Sequence, residues 1–206
     1  FSFAYQAAAG WPHRLPELCR LLLDNPNQVS DPGLPAGPMF AQLTHQKLGK
    51  LEEDGLYYVV WTLFTQWTQN GNLDMVTDAD WALIEAALEW VETVTWDESR
   101  GLFGSHMADE TAVFGHRDHG WDYAIGKPID GAHLVHGGES VTRNYDVYFN
   151  ACMHSTYVML DAMSGRDRYA QKASRVWAEL EKMLANRTDG IPTYGEFLFK
   201  DGSRRQ

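Results

Sequence analysis

The sequence has little of several features that mark particular classes of protein. It has two cysteines, Cys19 and Cys152, and neither belongs to a Cys-x-x-Cys pair, which excludes a disulfide framework. Both lie in apolar helical stretches, where we expect buried, reduced thiols. No run approaches the ~20 consecutive apolar residues that span a bilayer, so the sequence predicts a soluble protein without a membrane partner.

Positive charge is also scarce. The 206 residues include 17 Lys and Arg against 28 Asp and Glu, a net charge of -11. Because nucleic-acid affinity rests mainly on neutralising phosphates, we expect no nucleic-acid partner. The sequence begins without Met and without a signal-peptide pattern, so we expect a piece of a longer protein. The compartment stays open, with the cytoplasm slightly favoured.

Apolar and aromatic residues, by contrast, are plentiful. Hydrophobic residues make up 44% of the chain and aromatic residues 13%, including eight Trp, nine Tyr and nine Phe. Those fractions predict a globular protein with a substantial core. Aromatic side chains stabilise such a core, but they also form stacking platforms for sugar rings, and composition does not separate the two roles.

Five segments have helical periodicity, and no segment shows the alternation of a strand. Asp54–Gln69 and Asn144–Met163 are apolar almost all round, which predicts helices buried on every side. Asp78–Thr95 and Arg168–Asn186 are amphipathic, as in helices that cover a core. Leu15–Asp24 is shorter and comes first. In the last helix the residues expected to face inward are Tyr169, Ala173, Val176, Trp177, Leu180 and Leu184.

The connections alternate in length as the helices alternate in character. Those from a buried to a surface helix are short, whereas Asn25–Glu53, Thr95–Arg143 and the segment from Arg187 onward are long. In antiparallel hairpins the long connections then emerge at one end, beside the N-termini of the buried helices. Long loops inside a compact domain are usually functional, so a site is expected there. The arrangement predicts one all-α domain over 1–206, an incomplete (α/α) toroid of about half a six-hairpin barrel, with a helical bundle as the alternative.

The Thr95–Arg143 connection is dense in histidines, carboxylates and glycines, which indicates a ligand site; a solvated loop with capping Asp residues is the alternative. One chemical interpretation is a metal site. His116, Asp118 and His119, with Asp122, would offer the nitrogen and oxygen ligands that zinc or manganese accepts. Their spacing matches no HExxH or zinc-finger pattern, so we expect no metal in the main interpretation.

Three short motifs resemble those of six-hairpin glycosidases. Gly120-Trp121-Asp122-Tyr123 is similar to the Gly-Trp-Asp motif of trehalases and processing α-glucosidase relatives, and Asn144-Tyr145-Asp146-Val147-Tyr148 is similar to the start of an inner helix in that group. Glu53–Trp61, followed by Thr68–Asn72, resembles an inner helix and short turn found more widely in these toroids. The resemblance implies a cofactor-independent glycosidase that acts with net inversion on a small α-linked glucoside or mannoside.

Within this resemblance Asp122 is the general acid. Asp118-His119 stands where the trehalase pattern has Glu-Ser, so a different substrate pocket is expected. The general base of the group comes from the second half of the toroid, so the implied partners are a glycoside and the missing half of the domain. The alternative function is a non-catalytic helical toroid that binds carbohydrate or protein.

The other expected site residues surround Asp122 in the sequence or begin the neighbouring helices. A carboxyl that stays protonated near neutrality needs an apolar or carboxylate-rich setting, which Asp118 and Glu110 would help to supply. Arg117 and His119 would hold hydroxyls or orient the acid, and Trp121 would stack on a sugar face. A turn or cap residue is the alternative role of Asp122. The remaining expected substrate-binding residues are Tyr57, Tyr123, Asn144, Tyr145 and Glu196.

Overall fold

The computed structural model describes residues 12–29, 36–40, 55–104, 121–122, 127–128, 145–185, 197–198 and 204–205. Within them a 3-10 turn, Pro12–Arg14, leads into the first of five α-helices. The helices are α1 (Leu15–Leu23), α2 (Gly55–Asn70), α3 (Asp78–Thr95), α4 (Val147–Ser164) and α5 (Asp167–Ala185). They confirm the predicted all-α class, and their bounds lie within three residues of the predicted ones.

Short antiparallel strands lie in the segments between and after the helices. The strands are β1 (Asn27–Val29), β2 (Gly37–Met39), β3 (Trp96–Asp97), β4 (Leu102–Phe103), β5 (Trp121–Asp122), β6 (Lys127–Pro128), β7 (Tyr145–Asp146), β8 (Phe197–Leu198) and β9 (Arg204–Arg205). β1 pairs with β2, β3 with β4 and β5 with β6, while β8 lies between β7 and β9. At two or three residues each, they are too short to show the alternation by which a sequence reveals a strand.

The helices begin and end where local chemistry favours it. The Thr77 hydroxyl accepts from the Asp80 backbone N–H, while the Asp80 carboxylate accepts from the Thr77 backbone N–H, a capping box that starts α3. Gly71 follows α2 with φ +76°, and Gly165 follows α4 with φ +64°. This left-handed conformation suits glycine, so both helices end in tight turns.

α2 packs against both α1 and α4. The hydroxyls of Tyr58 and Tyr148, in the first turns of α2 and α4, are 2.9 Å apart, so these two helices begin side by side. α4 and α5 form an antiparallel hairpin, in which the Tyr157 and Tyr169 rings meet with centroids 6.3 Å apart.

α3 and α5 run parallel to each other. Glu85 on α3 pairs with Arg166 at 2.6 Å, just before α5, and with Arg168 on α5. Two turns further along α3, Glu92 lies 3.8 Å from Lys172, which is also further along α5. The two amphipathic helices thus neighbour each other in the same direction, as the two apolar helices begin side by side.

The sequence predicts that α2 is more buried than α3, but the buried share of the two helices is nearly the same. Seven of the 16 residues of α2 and eight of the 18 residues of α3 are buried. The three exposed residues of α2 are its last three, whereas the six exposed residues of α3 are spread along the helix. The β1–β2 pair explains the extra burial of α3, because β2 packs on it near Trp90, which is only 7% exposed.

Two expectations about the last hairpin are wrong. α4 was expected to be buried almost all round, but Val158 is 47% exposed. Trp177 was expected to face inward from α5, but it is 44% exposed; the buried stripe of α5 consists of Tyr169, Ala173, Val176 and Leu180. Both cysteines are buried and neither forms a disulfide, as predicted, and burial raises the pKa of Cys19 to about 12. Among the described helices, none combines the length and apolar character needed to cross a bilayer.

Candidate functional site

The two ends of the polar Thr95–Arg143 connection meet at the start of α4. The connection leaves α3 as the β3–β4 hairpin, and Asn150 in the first turn of α4 holds Phe103 of that hairpin. The Phe103 N–H donates to Asn150 Oδ1 over 2.8 Å, and Asn150 Nδ2 donates to the Phe103 carbonyl over 2.9 Å. The connection returns as β7, directly before α4, and β4 and β7 are in contact.

Described parts of the other two long connections lie in the same region. β8, from the third connection, pairs with β7 so that Tyr145 is opposite Leu198 and Asp146 is opposite Phe197. In the first connection, Gly37 packs so closely on Trp90, in the last two turns of α3, that a Cβ there would lie 1.8 Å from Trp90 Cδ1. The second and third long connections thus meet at one end, as expected. The first begins beside the opposite end, where Arg20 of α1 pairs with Asp80 and donates to the Met75 carbonyl.

We call this region the loop end: the first turns of α2 and α4 together with β4, β7 and β8. Helix N-termini carry partial positive charge and free backbone N–H groups, both of which favour an anion or a polar oxygen. The Tyr58–Tyr148 hydroxyl pair brings two such N-termini together. A carboxylate or a sugar hydroxyl at the loop end would therefore meet favourable electrostatics.

An aromatic pair lies on α2 beside its N-terminus. The Tyr57 and Trp61 rings are nearly parallel, with an interplanar angle of 7° and centroids 6.4 Å apart. Both are half-buried and pack partly against the core. Aromatic rings of this kind can stack on sugar rings, and Tyr57 is one of the residues that the sequence predicts for the site.

A charged cluster fastens the β3–β4 hairpin to α5. The ammonium of Lys172 lies 3.6 Å from the centre of the Trp96 ring, and Arg175 donates to Glu98 Oε1 over 2.5 Å. The Trp96 indole N–H also donates to Glu98, and these bonds lower the pKa of the Glu98 carboxyl. Burial lowers the pKa of Lys172 despite the carboxylates near it. The charged groups of this cluster interact with one another, which fits a structural role.

The described residues include only part of the predicted site. Tyr57 is described fully. For Trp121 and Asp122 the backbone is described, with Trp121 paired to Pro128 and Asp122 to Lys127 in the β5–β6 hairpin, and Tyr145 lies in β7. The direction of the Asp122 carboxyl falls outside the described part. Also outside the described residues are Glu110, Arg117, Asp118, His119, Tyr123, Asn144 and Glu196.

The alternative metal site falls outside them as well, since His116, Asp118 and His119 are not among the described residues. Within the ranges that are described, no group of three or more His, Cys, Asp or Glu side chains could hold a metal ion. The interpretation of His116, Asp118 and His119 as ligands therefore stays a prediction.

The sequence reasoning missed two groups that shape the loop end. One is Asn150, which is fully buried. Its signal was a lone asparagine within an apolar helical stretch, because a buried amide needs polar partners. The other is the tyrosine pair, Tyr58 and Tyr148, which lie in the first turns of the two apolar helices.

Comparison with protein-family models, with curated proteins and with solved structures finds no match to this chain.

Proposed function

We propose that this chain is part of an (α/α)-toroid glycoside hydrolase that acts on an α-linked glucoside or mannoside, with Asp122 as the general acid and net inversion. The observation that carries the proposal is that the second and third long connections meet at the loop end. The polar connection that contains Asp122 starts and finishes there, at the hydrogen bonds between Phe103 and Asn150 and at the pairing of β7 with β8.

The helix arrangement supports the toroid. In a ring of helical hairpins, successive inner helices start side by side and successive outer helices run parallel. α2 and α4 start side by side at Tyr58 and Tyr148, and α3 and α5 run parallel through the Glu85 and Glu92 contacts. The α4–α5 hairpin thus stands beside the α2–α3 hairpin in the same orientation. Further hairpins added in this way would give the ring that the resemblance implies.

The chemistry assigned to Asp122 is protonation of the leaving glycosidic oxygen. An inverting glycosidase needs that acid together with a second carboxylate that activates water on the opposite face of the sugar. Asp118 and Glu110, close in sequence, would raise the pKa of Asp122 by like-charge repulsion, whereas the N-termini of α2 and α4 would act in the opposite direction. The second carboxylate would come from another part of the ring, so the 206 residues are proposed to supply half of the catalytic pair.

Substrate binding is assigned to the surrounding residues. Tyr57 would stack on a sugar ring, with the ring of Trp61 parallel to it one turn further along α2. Trp121 would offer a second stacking surface, and Arg117 and His119 would bind hydroxyls. Glu196 directly precedes β8, so we assign it to the rim of the same site.

The test is Asp122→Asn in the complete enzyme, which keeps the shape of the side chain and removes its transferable proton. We expect turnover of the natural glycoside to fall by about 10²-fold or more, because general acid catalysis contributes ~10²–10⁴. A substrate with a good leaving group should lose far less activity, since its departure needs little protonation. Asp74→Asn, an exposed carboxylate in the turn between α2 and α3, is the matched control and should leave both rates unchanged.

Near-normal hydrolysis of the natural glycoside by Asp122→Asn would remove Asp122 from the mechanism. Activity that is abolished by a chelator and restored by zinc or manganese would instead favour the ligand set of His116, Asp118 and His119. Sugar binding without hydrolysis in the complete protein would favour the non-catalytic toroid.

A further inference from the structure

Asn150 joins the beginning and the end of the polar connection that contains Asp122. It lies in the first turn of α4, four residues after β7, where the connection returns. Two of its hydrogen bonds go to Phe103, the last residue of the β3–β4 hairpin, from which the connection leaves. One side chain therefore relates the two ends of a segment with Asp122 near its middle, 19 residues after Phe103 and 23 before Tyr145.

Two kinds of contact hold Phe103, and they constrain it differently. Its fully buried ring packs against the rings of Trp96, Phe149 and Tyr157, with centroids 4.9, 5.9 and 6.1 Å away. Apolar contacts fix where the residue lies, but they are not directional and leave its backbone free to turn. The hydrogen bonds to Asn150 engage both the N–H and the carbonyl of Phe103, and such bonds weaken steeply when they are misaligned. Asn150 therefore sets the direction in which the chain leaves the hairpin.

The chemistry of this contact requires an amide. A side chain that donates and accepts at once is needed, whereas an ionised carboxylate only accepts and an apolar side chain does neither. Asn150 is fully buried, so bulk water does not replace a lost partner. Burying an amide in an apolar helix is itself unfavourable unless its polar atoms are bonded, and the two bonds to Phe103 meet that need.

We propose that Asn150 is a positioning residue for Asp122. By fixing the backbone direction at Phe103 beside β7, it holds the polar connection in the arrangement that brings Asp122 to the substrate. This inference rests on the proposed function, in which Asp122 is the general acid. A general acid must lie within hydrogen-bond reach of the leaving oxygen, and a displacement of about 1 Å caused far from the chemistry can lower the rate by ~10²-fold. Asn150 itself needs no contact with the substrate.

The first experiment is Asn150→Asp in the complete protein, which keeps the shape of the side chain. Its ionised form accepts from the Phe103 N–H but cannot donate to the Phe103 carbonyl. At pH 7 we expect kcat for the natural glycoside to fall by about tenfold, with KM changed by about twofold or less, because the acid is misplaced while the substrate still binds. Protonation of the introduced carboxyl, which burial favours, restores the donor. The ratio of variant to wild-type kcat should therefore rise between pH 7 and pH 5, and this recovery also shows that the variant is folded.

Thr156→Val is the matched control for a loss of stability alone. Thr156 is fully buried six residues further along α4, and its hydroxyl donates to the Cys152 carbonyl within the same helix over 2.9 Å. The substitution removes a buried hydrogen bond of α4 without changing the one that holds the β3–β4 hairpin. We expect wild-type kcat and KM, and a ratio to wild type that does not change with pH.

The decisive comparison combines Asn150→Asp with Asp122→Asn. If Asn150 acts through Asp122, the double variant should hydrolyse the natural glycoside no more slowly than Asp122→Asn alone, because the acid that Asn150 positions is already absent. A further loss of about tenfold in the double variant would overturn the positioning role. So would wild-type kcat in Asn150→Asp at pH 7, a ratio that does not rise on acidification, or an equal loss in Thr156→Val. Near-normal turnover by Asp122→Asn alone would instead contradict the proposed function, and with it the role of Asn150.

Discussion

The helices of this protein have two ends that are closed in different ways. At what we call the turn end, where α2 leads into α3 and α4 into α5, the turns are closed by residues close in sequence: Gly71 and Gly165 with positive φ, and Thr77 with Asp80. At the loop end the closing contacts join residues far apart, such as Phe103 with Asn150. The comparison teaches that local chemistry shapes the turn end, while the loop end depends on contacts across the whole chain.

Among substitutions that test this comparison, the one at Asn150 is expected to lower stability most. Asn150→Ala removes the partners of the buried Phe103 N–H and carbonyl, each of which costs ~1–3 kcal/mol when left unsatisfied. We expect the free energy of unfolding to fall by about 2–5 kcal/mol in chemical denaturation. The same substitution at the turn end, Asn72→Ala, affects an exposed side chain and should change stability by about 0.5 kcal/mol or less. Equal losses at the two sites would mean that the Asn150 contact does not hold the loop end.

Replacing either of two glycines by alanine is expected to lower stability by less, and for a different physical reason at each position. Gly37→Ala would place its Cβ within 1.8 Å of the Trp90 ring, so we expect a loss of about 1–3 kcal/mol from overpacking. At the turn end, Gly71→Ala meets nothing within 4 Å and has only its φ of +76° to oppose it, at a cost of about 1 kcal/mol. Thermal unfolding of both variants checks the order. A Gly37 variant as stable as wild type would show that β2 does not need its close approach to α3.

The contrast between local contacts at the turn end and long-range contacts at the loop end explains how far the sequence predicts each of them. The helices, their approximate bounds and the meeting of the second and third long connections at one end follow from periodicity and connection length. The exposure of Val158 and Trp177 does not, because apolar periodicity shows which face can be buried and not whether a partner is there. The Asn150 contact and the β7–β8 pairing join residues tens of positions apart, and no local pattern encodes their register. A functional site at the loop end, with most of its side chains, therefore stays a prediction.

A further expected effect concerns the acid sensitivity of the turn end. Burial alone would raise the pKa of Asp80, but hydrogen bonds from the Thr77 backbone and hydroxyl, with Arg20 at 2.6 Å, outweigh it and lower that pKa below its ordinary value of 3.8. A lowered folded-state pKa adds stability above the unfolded-state pKa, and this stability is lost as the pH falls through the folded-state value.

Asp80→Asn should therefore cost about 1–2 kcal/mol at pH 7, and its difference from wild type should narrow below about pH 4. Urea unfolding of both proteins across pH 2–7 measures this. The exposed Asp74→Asn should follow the wild type at every pH. A gap between Asp80→Asn and wild type that widens on acidification would contradict the assigned sign.

The central claim, that the loop end is a carbohydrate site, is tested most directly by comparing two aromatic residues at opposite ends of α2. Tyr57→Leu and Trp67→Leu each replace a half-buried ring by an aliphatic side chain, the first at the loop end and the second at the turn end. The measurement is the dissociation constant of an α-linked glucose disaccharide and of a mannose disaccharide, by calorimetric titration of the complete protein carrying Asp122→Asn. We predict that one of the two sugars binds and that Tyr57→Leu weakens it about five- to tenfold, as the loss of ~1 kcal/mol of stacking requires, while Trp67→Leu leaves it unchanged. Equal weakening by both variants, or weakening by Trp67→Leu alone, would contradict a site at the loop end.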